Sequence, residues 1–102
     1  MIQHTVAFSL KHPKGSPQEL DFLKEGMKLA QIPTVRNFRC LRQVSRKNAF
    51  DFGFSMAFES DAAYQAYSNH PFHQTFVATR WIPEVREFLE LDYVDYVSNP
   101  LG

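Results

Sequence analysis

The stretch from residue 50 to residue 58 constrains the fold more than any other part of the chain. It reads FDFGFSMAF, so a phenylalanine or a methionine stands at every second position, with small or acidic residues between them. Successive side chains of a β-strand point to opposite faces, and the pattern therefore gathers the large apolar groups on one face. It predicts a β-strand that buries one face in a core.

The beginning of the chain shows the same alternation. In residues 2–10, IQHTVAFSL, the second, fourth and later even positions share one face, which includes His4 together with Val6 and Phe8. The pattern predicts a half-buried first strand. It also places a titratable imidazole among core side chains.

Two helices are marked by their capping signals. Ser16 can cap a helix whose first position is Pro17, with a glutamate three residues after the cap, and apolar residues then recur at helical spacing to about Gln31. Ser60 is followed by an acidic first turn, and the helix it opens must end before Pro71. Both segments are predicted to be helices, the first of them amphipathic.

The remaining segments complete a known arrangement. Residues 35–45 are predicted to form a second strand, and residues 72–80 a further helical stretch. Pro83 is predicted to begin a last helical turn or two, and residues 91–97 are predicted to form the fourth strand. The order β-α-β-β-α-β is that of an α+β, ferredoxin-like domain with a four-stranded antiparallel sheet. Helices then cover one face of the sheet, and a second copy of the chain is expected to cover the other, giving a homodimer.

Composition narrows the class of protein. The 102 residues are expected to form a single domain, residues 1–102, with 15% aromatic residues for its core. Eleven basic residues balance eleven acidic ones, so neither nucleic acid nor a membrane is expected as a partner. A lone cysteine, Cys40, excludes an internal disulfide, and the lack of a signal peptide or long apolar span predicts a cytoplasmic protein.

The segment YSNHPFHQTF, residues 67–76, carries the candidate chemistry. If the chain turns back at Pro71, then Tyr67, His73 and His4 can converge on an apolar pocket, an arrangement typical of small-ligand sites. Histidine is a competent base near neutral pH, and a tyrosine hydroxyl can stabilise a developing oxyanion. The residues expected to form the ligand pocket are Phe8, Leu23, Met27, Phe54, His70, Phe76 and Val77.

Other interpretations of these residues stay open. The histidines and Tyr67 can simply satisfy one another as buried polar groups, and Tyr64 is expected to be a packing residue. His4, His70 and His73 could supply three nitrogens to a metal, but two histidines separated by a proline make poor ligand geometry, and no metal is expected. The acidic run from residue 84 to residue 95 is expected to be solvated surface.

Several motifs resemble one family. The segments HTVAFSLK, IPTV, FES, AYSNHPFHQTF and LDYVDY, spread from His4 to Tyr96, resemble the stress-responsive A/B barrel domain (Dabb) proteins, which are dimeric α+β barrels. The resemblance implies a ferredoxin-like protomer whose sheet pairs with that of a second copy. By similarity to a polyketide-cyclising member, His73 matches the catalytic base, Tyr67 its partner and His4 a pocket histidine.

The resemblance has departures that bear on the substrate. Glu25 stands where that member has a pocket tyrosine, and Cys40 and Leu41 replace a tryptophan-glycine pair. The polyketide substrate is therefore not carried over. Three functions remain as hypotheses: a cofactor-free enzyme or binder of an apolar or aromatic carbonyl compound, a non-catalytic stress-related dimer, and a cofactor-independent monooxygenase of the related antibiotic-biosynthesis type. No cofactor is expected.

Overall fold

Strands and helical segments follow one another in the order expected from the sequence. The structure, a computed structural model, describes residues 1–97; residues 98–102, which the single-domain prediction includes, lie outside the described part. The strands are β1 (Ile2–Leu10), β2 (Arg36–Arg42), β3 (Phe52–Phe58) and β4 (Val85–Tyr93). The helices are α1 (Pro17–Met27), α2 (Asp61–Ser68), α3 (Pro71–Phe76) and α4 (Ile82–Glu84), with a 3₁₀ turn at Lys28–Gln31 and a π-helical segment at Val77–Trp81.

The four strands form one antiparallel sheet in the order β2-β3-β1-β4. In its centre His4 lies opposite Met56 of β3 on one side and Asp92 of β4 on the other. This register confirms the ferredoxin-like α+β fold. It also sets the side chains of His4 and Asp92 beside each other on one face.

The core fills the space between the sheet and the helices. Phe8 and Phe54, on neighbouring strands, have ring centroids 4.8 Å apart, and Phe22 of α1 packs 5.9 Å from Phe8. All three are almost fully buried, and paired aromatic rings add to the stabilisation that burial of apolar area provides. Gly26 lets α1 approach closely, because a Cβ atom there would lie 2.5 Å from the Phe54 ring.

The predicted caps are confirmed. The Oγ atoms of Ser16 and Ser60 accept hydrogen bonds from the backbone N–H groups of Glu19 and Ala63, at 3.2 and 3.1 Å. The ends of the elements differ modestly from the prediction. The second strand begins at Arg36 and contains a bulge, where Asn37 has a φ of 52°.

The prediction for the end of the chain was wrong in one respect. Residues 83–90 were expected to form a helical turn or two and residues 91–97 the last strand, but β4 already begins at Val85 and ends at Tyr93. Only Ile82–Glu84 is helical there. The reason is pairing: β4 runs along β1 from the Leu10–Val85 pair to the Gln3–Tyr93 pair, and these backbone hydrogen bonds outweigh a helix start at Pro83.

The face of the sheet opposite the helices carries exposed apolar groups. Leu89, Leu91 and Tyr93 of β4 alternate with the residues that face the helices, and their exposed fractions are 44–54%. Leu41 of β2 is also exposed. We call these four residues the outer sheet face. Among residues 1–97, no helix has the length and apolar character needed to cross a membrane.

Candidate functional site

A cavity of about 310 Å³ lies between the sheet and the segment that connects α2 to β4. Among residues 1–97, the polar side chains that line it are His4, Tyr67, His73 and Glu90, and the other lining side chains are apolar. An apolar hollow with a few convergent polar groups is the usual form of a small-molecule site. The apolar lining residues are Val6, Leu29, Phe54, Met56, Phe76, Val77, Trp81, Ile82 and Phe88.

His73 has a defined tautomer. It lies in α3, just beyond the break between α2 and α3, and its Nδ1–H donates a hydrogen bond to the Ser68 carbonyl oxygen at 3.0 Å. Because Nδ1 carries the proton, Nε2 of the neutral ring is an acceptor. Burial lowers the pKa of His73 below its usual value, partly opposed by the Ser68 hydrogen bond. The ring is thus held in the form that can accept a proton.

Tyr67, in the last turn of α2, lies against this imidazole. Its side chain is 3% exposed, and its ring centroid is 4.4 Å from that of His73 and 6.2 Å from that of His4. Burial, and secondarily the charge of Glu90, raises the pKa of the Tyr67 hydroxyl. The hydroxyl therefore stays protonated at neutral pH and is a hydrogen-bond donor.

His4 is oriented by a carboxylate. Its Nδ1–H donates to Asp92 Oδ1 at 2.5 Å, and the Tyr64 hydroxyl donates to the other oxygen of Asp92 at 2.8 Å. The same hydroxyl oxygen lies 2.8 Å from His4 Nδ1. These contacts fix the ring through Nδ1 and leave Nε2 as its second polar atom. Burial and the hydrogen bond to Asp92 raise the pKa of Tyr64.

The trio expected from the sequence is thus near one cavity, together with part of the expected wall. Phe54, Phe76 and Val77 line the cavity. Phe8, Leu23, Met27 and His70 do not. Phe8 lies deeper in the core with no exposed surface, and Met27, at the end of α1, is half exposed.

His70 has a local role instead. It is the N-cap of α3, and its Nδ1 atom accepts a hydrogen bond from the Phe72 backbone N–H at 3.1 Å. The ring is thus a hydrogen-bond acceptor at the start of α3, whereas His70 was expected among the residues of the ligand pocket. Pro71 occupies the first turn of α3, where its missing N–H costs nothing.

Four residues that shape the site were not foreseen from the sequence. Glu90 and Asp92 were assigned to solvated surface, and Tyr64 to packing. Tyr64 does stack on Phe58, with centroids 4.7 Å apart, but it also bonds Asp92. Trp81, at the end of the π-helical segment, lines the cavity and packs on Phe88. π-helical turns are frequent at functional sites, but no sequence signal marks them.

A metal site of three histidines is not formed. Among residues 1–97, the group whose ligand atoms lie close enough for one ion is His4, Glu90 and Asp92, all within 4.8 Å of one another. In this structure these atoms are joined by hydrogen bonds, since Asp92 accepts from both His4 and Tyr64. His70 and His73 belong to no such group.

Taken together, the side chains support acid–base chemistry. A neutral imidazole with a free Nε2 and a protonated phenol flank one apolar space, and a second imidazole is held by a carboxylate. Such a set can accept a proton, stabilise a nearby oxyanion and carry a second proton.

Two solved structures are similar to this chain in sequence as well as in fold. A Dabb-family protein with a ferredoxin-like fold from Mesorhizobium loti is 49% identical, with a TM-score of 0.93 over 94% of this chain and 97% of that one. A protein of Arabidopsis thaliana is 26% identical, with a TM-score of 0.81 over 97% and 99% of the two chains. Comparison with curated protein sequences gives no match.

More distant structures show the fold alone. A hydroxynitrile lyase of Passiflora edulis is 18% identical, with a TM-score of 0.82 over 97% of this chain and 96% of that one. Others include dimeric ferredoxin-like proteins of unknown function and an antibiotic-biosynthesis-monooxygenase-like protein of Nitrosomonas europaea. The model of the stress-responsive A/B barrel domain matches residues 2–95. With nearly the whole described chain covered, this protein belongs to the stress-responsive A/B barrel domain family.

Proposed function

We propose that the protein is a cofactor-free acid–base catalyst that removes a proton from the carbon next to a carbonyl group. The observation that carries the proposal is the pairing of His73, whose Nδ1–H is anchored on a backbone carbonyl, with the protonated Tyr67 at one apolar cavity. An imidazole held in its neutral form is a general base near neutral pH. A buried phenol is a donor for the oxygen that becomes negative.

The proposed step is an enolisation. His73 Nε2 takes the α-proton, the electrons of the C–H bond form the carbon–carbon double bond, and the carbonyl oxygen receives the negative charge. Tyr67 donates a hydrogen bond to this oxygen. The enolate then takes a proton back, or attacks a second carbonyl group within the same ligand, which closes a ring.

His4 is proposed as the second proton-carrying group. Its ring borders the cavity and is fixed through Nδ1 by Asp92, so that Nε2 is the atom available to a ligand. Tyr64 supports the same carboxylate. Asp92 and Tyr64 are positioning residues in this scheme, because they act on a ligand only through His4.

Hydrogen exchange tests the proposal directly. In D₂O, the native protein should accelerate the exchange of the methyl hydrogens of acetophenone, which NMR follows as loss of the methyl signal. The control is the same protein unfolded in urea, which presents the same histidines without a cavity. Equal rates for the folded and unfolded protein would contradict the proposal.

The remaining hypotheses from the sequence concern the same residues. If the protein is a non-catalytic dimer, His4, Tyr67 and His73 should pack against one another without a void. The interiors of folded proteins seldom leave space for more than a water molecule. The cavity of about 310 Å³ favours a small-molecule site. A monooxygenase needs an electron-rich substrate, for which no described residue gives a specific sign.

We further propose that the outer sheet face is covered by a second copy of the chain. Four apolar side chains are exposed there, and similar ferredoxin-like proteins are described as dimeric. Leu91→Arg, in the middle of this face, should weaken the dimer at least about tenfold, because it buries an unpaired charge. Leu20→Arg, at an exposed position on α1, is the matched control. Sedimentation at several concentrations measures both, and an unchanged dimer in Leu91→Arg would refute this interface.

A further inference from the structure

Among residues 1–97, the charged side chains at and beside the cavity are acidic. Glu90 lines the cavity with a side chain that is 50% exposed, and Asp92, two residues further along β4, is 38% exposed. Both lie on the face of the sheet that carries His4, and the Glu90 Oε1 atom is 3.7 Å from His4 Nδ1. Among the described residues that line the cavity there is no lysine or arginine.

The charge of Glu90 acts on the groups inside. It contributes to the raised pKa of Tyr67, and its effect on the pKa of His73 is likewise upward. A negatively charged ligand placed between these two rings would be repelled by Glu90, since like charges repel. An ionised ligand would also lose its hydration on entering an apolar cavity.

The size of the cavity adds a second restriction. At about 310 Å³ it lies near the lower end of the roughly 300–1,000 Å³ typical of ligand sites. Aromatic side chains form much of its wall, including Phe54, Phe76, Trp81 and Phe88. Such a wall favours a compact ring-containing compound, because flat rings pack well against aromatic side chains.

From this charge and size we propose that the cavity selects a compact, uncharged aromatic carbonyl compound and rejects the carboxylate of the same shape. That the ligand contains a carbonyl group follows from the proposed function, and the inference rests on it in this respect. It goes further in excluding anionic acids.

A pair of nearly isosteric ligands tests this selectivity. Benzoate, which is ionised at pH 7.5, carries a charged oxygen where acetophenone has a methyl group. Chemical-shift titration of the ¹⁵N-labelled protein measures both affinities. We expect acetophenone to bind at least about tenfold more tightly than benzoate, since only benzoate is desolvated as an ion.

A charge-removing variant identifies the group responsible. Glu90→Gln should strengthen benzoate binding about three- to tenfold relative to acetophenone binding, because only the charged ligand senses the charge of the carboxylate. Glu87→Gln is the matched control, as Glu87 is exposed on the same strand and does not line the cavity. The gain in Glu90→Gln should shrink at high salt, because Glu90 is partly exposed to solvent.

The outcomes separate the two proposals. Equal or tighter binding of benzoate, binding of neither compound, or a Glu90→Gln variant with an unchanged preference overturns the inference on charge. If acetophenone binds preferentially but its methyl hydrogens do not exchange, the charge selectivity stands and the proposed catalysis fails. If exchange is fast but benzoate binds equally well, the catalysis stands and the selectivity fails.

Discussion

His73→Gln should lower the rate of acetophenone exchange by a factor of roughly 10²–10⁴, the range that general-base catalysis typically contributes. Glutamine is close in size to histidine, and its amide N–H₂ can donate to the Ser68 carbonyl oxygen as the imidazole does. The variant should therefore fold normally while it lacks a proton acceptor. Exchange rates and thermal unfolding curves of the two proteins, measured side by side, check both halves of this expectation.

His70 provides the matched control three residues away. His70→Asn keeps an N-cap acceptor at the start of α3, because asparagine is among the best capping residues. The position does not line the cavity, so exchange should proceed as in the wild type. A loss in His73→Gln that is matched by an equal loss in His70→Asn, or by unfolding, would assign a structural role to the motif and remove the proposed base.

The pH dependence follows from the same imidazole. Burial lowers the pKa of His73 below the value of about 6.5 expected for the unfolded chain, so the folded state binds fewer protons than the unfolded state between the two pKa values. Exchange should stay on its plateau as the pH falls through 6.5 and decline only near the lowered pKa. Between the two pKa values, the free energy of unfolding should decrease as the pH falls. His73→Gln should remove the contribution of this histidine to the decrease.

The fold was accessible from sequence because its signals are local. Alternation in residues 2–10 and 52–58 reports which side chains face the core, and the caps at Ser16 and Ser60 mark where helices begin. Each signal depends on neighbours along the chain. The last strand was harder, because Pro83 and the acidic residues after it have low strand propensity and only pairing with β1 makes the segment extended.

The site was accessible only in part, for a related reason. Tyr67 and His73 lie on one short motif, so their proximity was foreseeable, whereas Asp92 reaches His4 across a register that the sequence does not state. A strand assignment for residues 85–93 would have placed Glu90 and Asp92 on one face of that strand by alternation, but only the pairing with β1 puts this face on the side of His4. Met27, expected in the pocket, is half exposed because α1 ends there and a 3₁₀ turn begins.

Tyr67→Phe should lower kcat for exchange by roughly 10²-fold, the smaller end of the cost of removing one donor to a developing oxyanion. Phenylalanine retains the ring that packs 4.4 Å from His73, so KM for acetophenone should change little. The control is Tyr93→Phe, which removes the hydroxyl of a half-exposed residue on the outer sheet face. The raised pKa of Tyr67 makes the wild-type hydroxyl a donor throughout the neutral range, so the loss should be independent of pH there. A variant with unchanged kcat and a raised KM would mean that Tyr67 binds the ligand without stabilising the enolate.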